Sequence, residues 1–243
     1  MMPEPQGLEA APALPPGWTW RAFDPEQPLF SLHVPKCAGQ SLRVILQERF
    51  GPNLLVHYFQ QHEAPPPRHD ATGPVCIHGH FNHVRGWGID QYYPGAEQLL
   101  TVLRHPLEQM VSNYFFWKAR QRETPRGQRA YRTITEFFEQ RRTAPMLPFL
   151  PACTNHENFK EVLSRRFIWI GLVENLEHSL PWLGHVLGRR GPSIPHANAS
   201  PRDEELPAEV AERFAANNAL EYAIFHWVQE SWRAIPVLGP NES

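Results

Sequence analysis

Lysine is scarce in this chain of 243 residues: it occurs only at Lys36, Lys118 and Lys160, and arginine carries the rest of the basic charge. A lysine in a loop is therefore more informative here than in a chain that uses it as the ordinary surface cation. Cysteine is just as sparse. Cys37, Cys76 and Cys153 form neither a zinc-ligand spacing nor a disulfide framework, which fits free thiols in a reducing compartment. No segment approaches the roughly 18 consecutive apolar residues of a membrane span. The first residues lack the basic start and apolar stretch of a secretory signal, so the expectation is a cytoplasmic protein. There is no positive excess either. A formal net charge of −2 argues against a dedicated nucleic-acid binder, although local basic patches are compatible with it. No internal repeat and no sign of a second domain is found.

What is present is ordinary globular material, with 42% apolar and 20% charged residues, enough for a sizeable core. Residues 1–20 are expected to be a flexible lead-in rich in Pro and Ala, and residues 21–243 a single domain. Strand-like and helix-like segments alternate, which predicts an α/β fold with a central parallel sheet flanked by helices. The strands are expected at Leu29–Val34, Leu54–Tyr58, Val75–Ile77, Leu99–Leu103 and Phe167–Leu172. Helices are expected from Gln40 to Phe50, ended by Gly51-Pro52, and from Pro106 onward, since the missing N–H of proline costs little in a first turn. Further helices are expected at Phe159–Arg165, at Leu176–Leu187 and, as one long or two short helices, at Ala208–Trp232. The basic stretch Arg120–Arg132 and the Pro-rich stretch Arg189–Pro207 read as loops.

Three motifs carry chemistry. The first, Val34-Pro35-Lys36-Cys37-Ala38-Gly39-Gln40-Ser41, joins the first strand to the first helix. A helix start offers open N–H groups and a positive dipole end, which together favour a phosphate. Gly39 lets backbone approach closely, Ser41 brings a hydroxyl, and Lys36 a full charge. It is not a Walker A loop, because the lysine precedes the turn and no GKS or GKT follows. A surface lysine beside a serine cap is the plain alternative.

The second motif puts Arg104 at the carboxyl end of a strand, the edge where open α/β sheets bind ligands. Ser112 follows about two turns into the next helix, on the face of Glu108 and of Phe115 or Phe116. An arginine grips phosphate through paired hydrogen bonds, and a serine hydroxyl can complete the cradle. A simple salt bridge would also account for Arg104.

The third, His78-Gly79-His80-Phe81-Asn82-His83, supplies three imidazoles whose ordinary pKa suits proton transfer near neutrality. One ring can take a proton from a hydroxyl, two or three can hold a metal, or the group can be structural.

In this order and spacing, the motifs resemble the PAPS-dependent sulfotransferases, and among them the branch of the uronosyl (heparan and dermatan) 2-O-sulfotransferases. The likeness runs from about Leu29 to Trp232. His33-Val34-Pro35-Lys36 looks like the family's 5′-phosphosulfate loop, with Lys36, Cys37, Ala38, Gly39, Gln40 and Ser41 at the donor. Arg104-His105-Pro106 followed by Ser112-Asn113-Tyr114-Phe115-Phe116 looks like its 3′-phosphate site. His78-Gly79-His80 is similar to the segment carrying the catalytic base. Phe167 to Glu174 resembles the late strand, and Asn198-Ala199-Ser200 the loop that closes over the nucleotide, with Arg202 beside it.

The resemblance implies a P-loop-NTPase-like sulfotransferase fold, PAPS as co-substrate, PAP as product and no metal. It further implies His80 as general base, His78 orienting it, and Lys36 stabilising the leaving PAP. The chain departs from the family at Cys37, where many relatives have Thr, and at His105, where they often have Asp. A hydroxyl-bearing acceptor is implied, with an anionic glycan as one candidate. Lys118, Arg120, Arg122, Arg126, Arg129 and Arg132 could receive such a glycan or form a solvated loop. Trp87, Tyr92 and Tyr93 could stack on a sugar or belong to the core. An inactive PAP-binding protein of the same fold is the alternative function.

Overall fold

The structure is a computed structural model that describes residues 14–58, 65–121, 131–141, 145–188 and 202–238. Five strands form one parallel sheet: β1 (Leu29–Leu32), β2 (Leu54–His57), β3 (Cys76–Gly79), β4 (Leu99–Leu103) and β5 (Phe167–Leu172), in the order β2-β3-β1-β4-β5. Every residue of β1, β3, β4 and β5 is buried. This is why those segments read as mostly apolar runs rather than alternating ones, with Ser31, His78 and Thr101 as buried polar exceptions: both faces of a parallel sheet are covered.

Eight α-helices accompany the strands among the described residues. They are α1 (Gly39–Phe50), α2 (Ile89–Tyr92), α3 (Pro106–Gln121), α4 (Ile134–Gln140), α5 (Phe159–Arg166), α6 (Leu176–Val186), α7 (Ala208–Asn217) and α8 (Ala219–Arg233). α1 ends where expected, at Gly51 with φ 51°, followed by Pro52. The stretch 208–232 resolves into two helices that meet at Asn218, which spans the joint. Its side-chain amide donates to Phe214 O at 2.8 Å, and its carbonyl accepts from Glu221 N at 3.0 Å. The short helices α2 and α4 were not expected. α4 is capped by the Thr133 hydroxyl, which accepts from Glu136 N, and it buries Ile134, Phe137 and Phe138.

The expected lead-in is too long at its C-terminal end. Trp20 is only 4% exposed, and its ring lies 4.9 Å from Trp232 and 5.1 Å from Trp18, so chain that looked dispensable from composition is part of the main core. A second apolar cluster joins α3, α4 and α7 through Tyr114, Phe137 and Phe214.

The strand order determines where a ligand can enter. The chain leaves β1 towards the β2 edge and leaves β4 towards the β5 edge. The carboxyl ends of the adjacent β1 and β4 therefore open into the crevice where connections diverge. The loops leaving those two ends carry Lys36 and Arg104.

Candidate functional site

The β1–α1 loop is held in an uncommon backbone shape. Lys36 and Ala38 have φ of 65° and 53°, left-handed values that non-glycine residues avoid at about 1–3 kcal/mol each. Two side chains from the neighbouring α3 region fasten the loop by its carbonyls. Gln109 Nε2 donates to Pro35 O at 2.8 Å, and Arg104 Nη1 reaches Lys36 O at 3.4 Å. With the carbonyls engaged, the N–H groups at the start of α1 remain open. The first helical bond is Leu42 N to Ala38 O, and Ala38 supplies no side-chain cap.

Gly39 is required for a reason other than closeness to a ligand. A Cβ there would collide with Cδ2 and Nε2 of the His33 ring, which lies directly over the first turn of α1. Cys37 turns the other way. Its side chain is 1% exposed in the main core, its N–H donates to Val34 O, and burial raises its thiol pKa well above the ordinary value. The thiol therefore stays protonated and faces away from the loop's open side, so a Cys at this position offers a ligand backbone only. Gln40 and Ser41 stand exposed and half-buried beside the turn.

Lys36 makes no ion pair among the described residues. Its Nζ lies 4.3 Å from the centre of the Phe116 ring, a cation–π contact. Burial, then the guanidiniums of Arg104 and Arg120, lower its pKa. Arg104, just before α3, and Glu108, Ser112, Phe116 and Arg120 within it follow one another at four-residue intervals, forming a stripe in which Arg104 meets Glu108, Arg120 covers Phe116, and Phe116 lies under the lysine. Of the two phenylalanines, Phe116 is on this stripe, while Phe115 belongs to the second core.

At the head of the stripe, two arginines converge on one carboxylate. Arg202 Nη2 meets Glu108 Oε2 at 2.7 Å, and Arg104 Nη2 meets the same oxygen at 3.7 Å. Arg104 Nε is buried and has no hydrogen-bond partner among the described residues. Ser112 is half-buried, and its hydroxyl makes no hydrogen bond among the described residues. Asn198 and Ser200 lie outside the described residues. His105, where many relatives carry Asp, donates its backbone N–H to Glu174 Oε1 at 3.0 Å and sets its ring edge-on to Tyr222 and Phe225.

The histidines gather at the other side of the crevice. His78 is 0% exposed and its Nδ1 shares a hydrogen bond with Ser31 Oγ at 2.8 Å, so it has no face for a substrate. His80, two residues on, is only partly buried. Its Nδ1 lies 2.7 Å from His33 O. A carbonyl only accepts, so Nδ1 carries the proton and Nε2 of the neutral ring keeps its lone pair. Burial is the chief cause holding the His80 pKa below the ordinary imidazole value, so the ring is neutral at neutral pH.

Two groups not singled out from sequence complete this side. The His33 ring stacks on His80 at 4.4 Å and on His78 at 5.3 Å, and Tyr58 shares a 2.8 Å hydrogen bond with His33 Nδ1. The Phe149 ring walls His80 at 5.9 Å from a turn anchored by the buried Glu221 carboxylate, which accepts from Met146 N and Leu147 N. No residue-type signal marked Gln109 or Glu221, because their partners lie some seventy residues away in sequence.

Among the described residues, no group of three or more His, Cys, Asp or Glu is arranged to hold a metal ion. No described helix is long and apolar enough to cross a membrane. The basic stretch is not free to meet an acceptor as a whole: Lys118 is paired with Asp203 at 2.8 Å and Glu204 at 2.5 Å. Arg122, Arg126 and Arg129 lie outside the described residues. Tyr93 is packed 4.9 Å from Phe30, and the Tyr92 hydroxyl donates to Pro66 O, so both serve the scaffold.

No family model matches the chain, and no curated protein matches it in sequence. Among solved structures, it is similar to the crystal structure of the mouse sulfotransferase SULT7A1 complexed with PAP. The TM-score is 0.42 and the identity 13%, over 84% of this chain and 67% of that one. At that identity, what the site can do rests on its own residues.

Proposed function

We propose that the chain is a PAPS-dependent O-sulfotransferase, moving a sulfuryl group from PAPS to an acceptor hydroxyl, with a carbohydrate or glycoconjugate as the acceptor class. The observation that carries this reading is the meeting of the Lys36 and Arg104 loops at the β1/β4 crevice, with a neutral, partly exposed His80 across from them. The open N–H groups of α1 and the Lys36 ammonium, which has no ion pair among the described residues, suit the 5′ end of the nucleotide. Arg104, Ser112 and Arg202 suit its 3′-phosphate, which would take the place of the Glu108 carboxylate between the guanidiniums.

In the reaction, the acceptor oxygen attacks sulfur in line with the departing phosphate oxygen. The hydroxyl proton passes to His80 Nε2 as the new O–S bond forms. The S–O bond to PAP breaks, and its electron pair leaves with the phosphate, where Lys36 offsets the growing charge. The protein's part is positioning and electrostatics, as in phosphoryl transfer. His78 acts through the packing of the histidine stack, because burial keeps it from substrate.

The test is transfer of radiolabelled sulfate from PAPS across a panel of glycans, lipids and phenols. Label in an acceptor, lost in Lys36→Ala and His80→Ala proteins that still fold, is the expected result. Binding of PAP without transfer to any acceptor would support an inactive nucleotide-binding protein instead. Binding of ATP with Mg²⁺ but not of PAP would overturn both.

A further inference from the structure

We propose that His33 is a ligand-binding residue of the same site, donating a hydrogen bond from Nε2 to the 5′-side anion of the nucleotide, with Tyr58 setting the ring. The inference rests on the reading of the crevice as a PAPS site and gives a role to a side chain that the motif contained but left without one.

Three observations converge on the His33 ring. Its Nε2 faces the first turn of α1, where only the absence of a side chain on Gly39 leaves it room. That turn carries the open N–H groups, so Nε2 and the backbone donors border the same small space. The ring is 7% exposed, yet Nε2 meets no hydrogen-bond partner among the described residues, while Nδ1 is engaged with Tyr58. Nε2 is not closed off from solvent, so an imidazole nitrogen beside a helix start, in a ring otherwise nearly buried, is a donor position that an entering anion can reach in place of water.

Chemistry selects the tautomer. A tyrosine hydroxyl both donates and accepts, so it tolerates either form of the ring. An anion against Nε2 favours the form with the proton there, and Tyr58 then donates to Nδ1. Burial is the main reason, with His80, His78 and Arg43 adding to it, that the His33 pKa is held down to about 2. The ring thus contributes a neutral donor, and the charge in this loop remains that of Lys36. The His33 carbonyl, meanwhile, accepts from His80 Nδ1, so one residue would touch the donor nucleotide through its ring and orient the base through its backbone.

The experiment compares PAP with 3′-AMP, which lacks the 5′-phosphate, by calorimetry on the full chain. His33→Asn places an amide nitrogen near Nδ1 and leaves Nε2 empty; His33→Gln extends a donor towards the Nε2 position. His33→Asn is expected to weaken PAP about tenfold, the loss of one hydrogen bond to a charged group, and to leave 3′-AMP unchanged. His33→Gln is expected to restore most of the difference. Nitrogen-15 spectra of the wild-type protein should show the His33 Nε2–H tautomer when PAP is added. Equal losses for both ligands, equal behaviour of Asn and Gln variants, or an Nδ1–H tautomer in the PAP complex would reduce His33 to scaffold and overturn the inference. If the wild-type chain binds neither nucleotide, the PAPS reading falls, and this inference falls with it.

Discussion

The two loops that meet at the crevice are built on opposite electrostatic plans. The β1–α1 loop is fixed by bonds to its backbone carbonyls, carries two left-handed residues, and leaves its N–H groups and lysine without a counter-charge among the described residues. The β4–α3 end is balanced at rest, with Glu108 standing between Arg104 and Arg202, and at the far end of α3 Asp203 and Glu204 likewise neutralise Lys118. An anion entering the first meets donors already in place, whereas one entering the second must exchange with a carboxylate. Under the proposed function, the first loop should govern rate and the second affinity and salt dependence.

The sharpest way to break that comparison is at the first loop and its facing base. His80→Ala should lower kcat by about 10²–10⁴-fold, as removal of a general base does, with PAP affinity kept within about threefold. Lys36→Ala should lower kcat by a similar factor and weaken PAP as well. If Arg104→Ala lowers kcat as much at saturating PAPS, the division between rate and affinity is wrong. The pH profile gives a second reading of His80. The base must be unprotonated, and burial lowers its pKa, so kcat/KM should hold as pH falls below the ordinary imidazole value of 6.5 before dropping. An acid limb centred above 6.5 would assign it to another group.

A smaller effect is expected at Gly39. In Gly39→Ala the new methyl would press on the His33 ring, which is confined by His80 and Tyr58 and has little room to move. Overpacking of this kind destabilises by about 1–3 kcal/mol, measurable as a fall in Tm or denaturant midpoint. PAP affinity should drop while 3′-AMP affinity drops less. Unchanged stability would mean that the loop is looser than its contacts imply.

Much of this architecture was legible beforehand, and the reasons are local. Buried parallel strands are apolar for most of their length, so β1, β4 and β5 stand out despite Ser31 and Thr101, and Phe167–Leu172 could be bounded to the residue. Gly51-Pro52 and Pro106 punctuate their helices by chemistry that needs no tertiary information. α4 escaped notice because its seven residues are too few for a helical period to rise above a basic, polar neighbourhood. Trp18 and Trp20 were hidden by the Pro- and Ala-rich composition before them, which says nothing of a distant partner such as Trp232.

In the candidate site, residue type revealed Lys36, Arg104 and the His78–His80 pair, but direction stayed invisible. Which histidine is exposed, and that Cys37 faces the core, depend on how the strand ends twist into their loops. His33 was quoted in a motif yet had no assigned role, since its meaning arises only from Tyr58, Gly39 and His80 coming together.

The smallest effect tests the second loop. Glu108→Gln keeps the shape of the side chain and removes the charge that a phosphate would have to displace. Surface ion pairs of this exposure contribute about 0–1 kcal/mol, so stability should barely change. The loss of competition should instead tighten PAP by about threefold at low ionic strength and steepen the salt dependence of binding, because the arginines then face solvent ions alone. The opposite sign is equally informative. Should Glu108→Gln weaken PAP, the carboxylate serves to aim Arg104 and Arg202 rather than to occupy their site. The β4–α3 end would then be as preorganised as the β1–α1 loop.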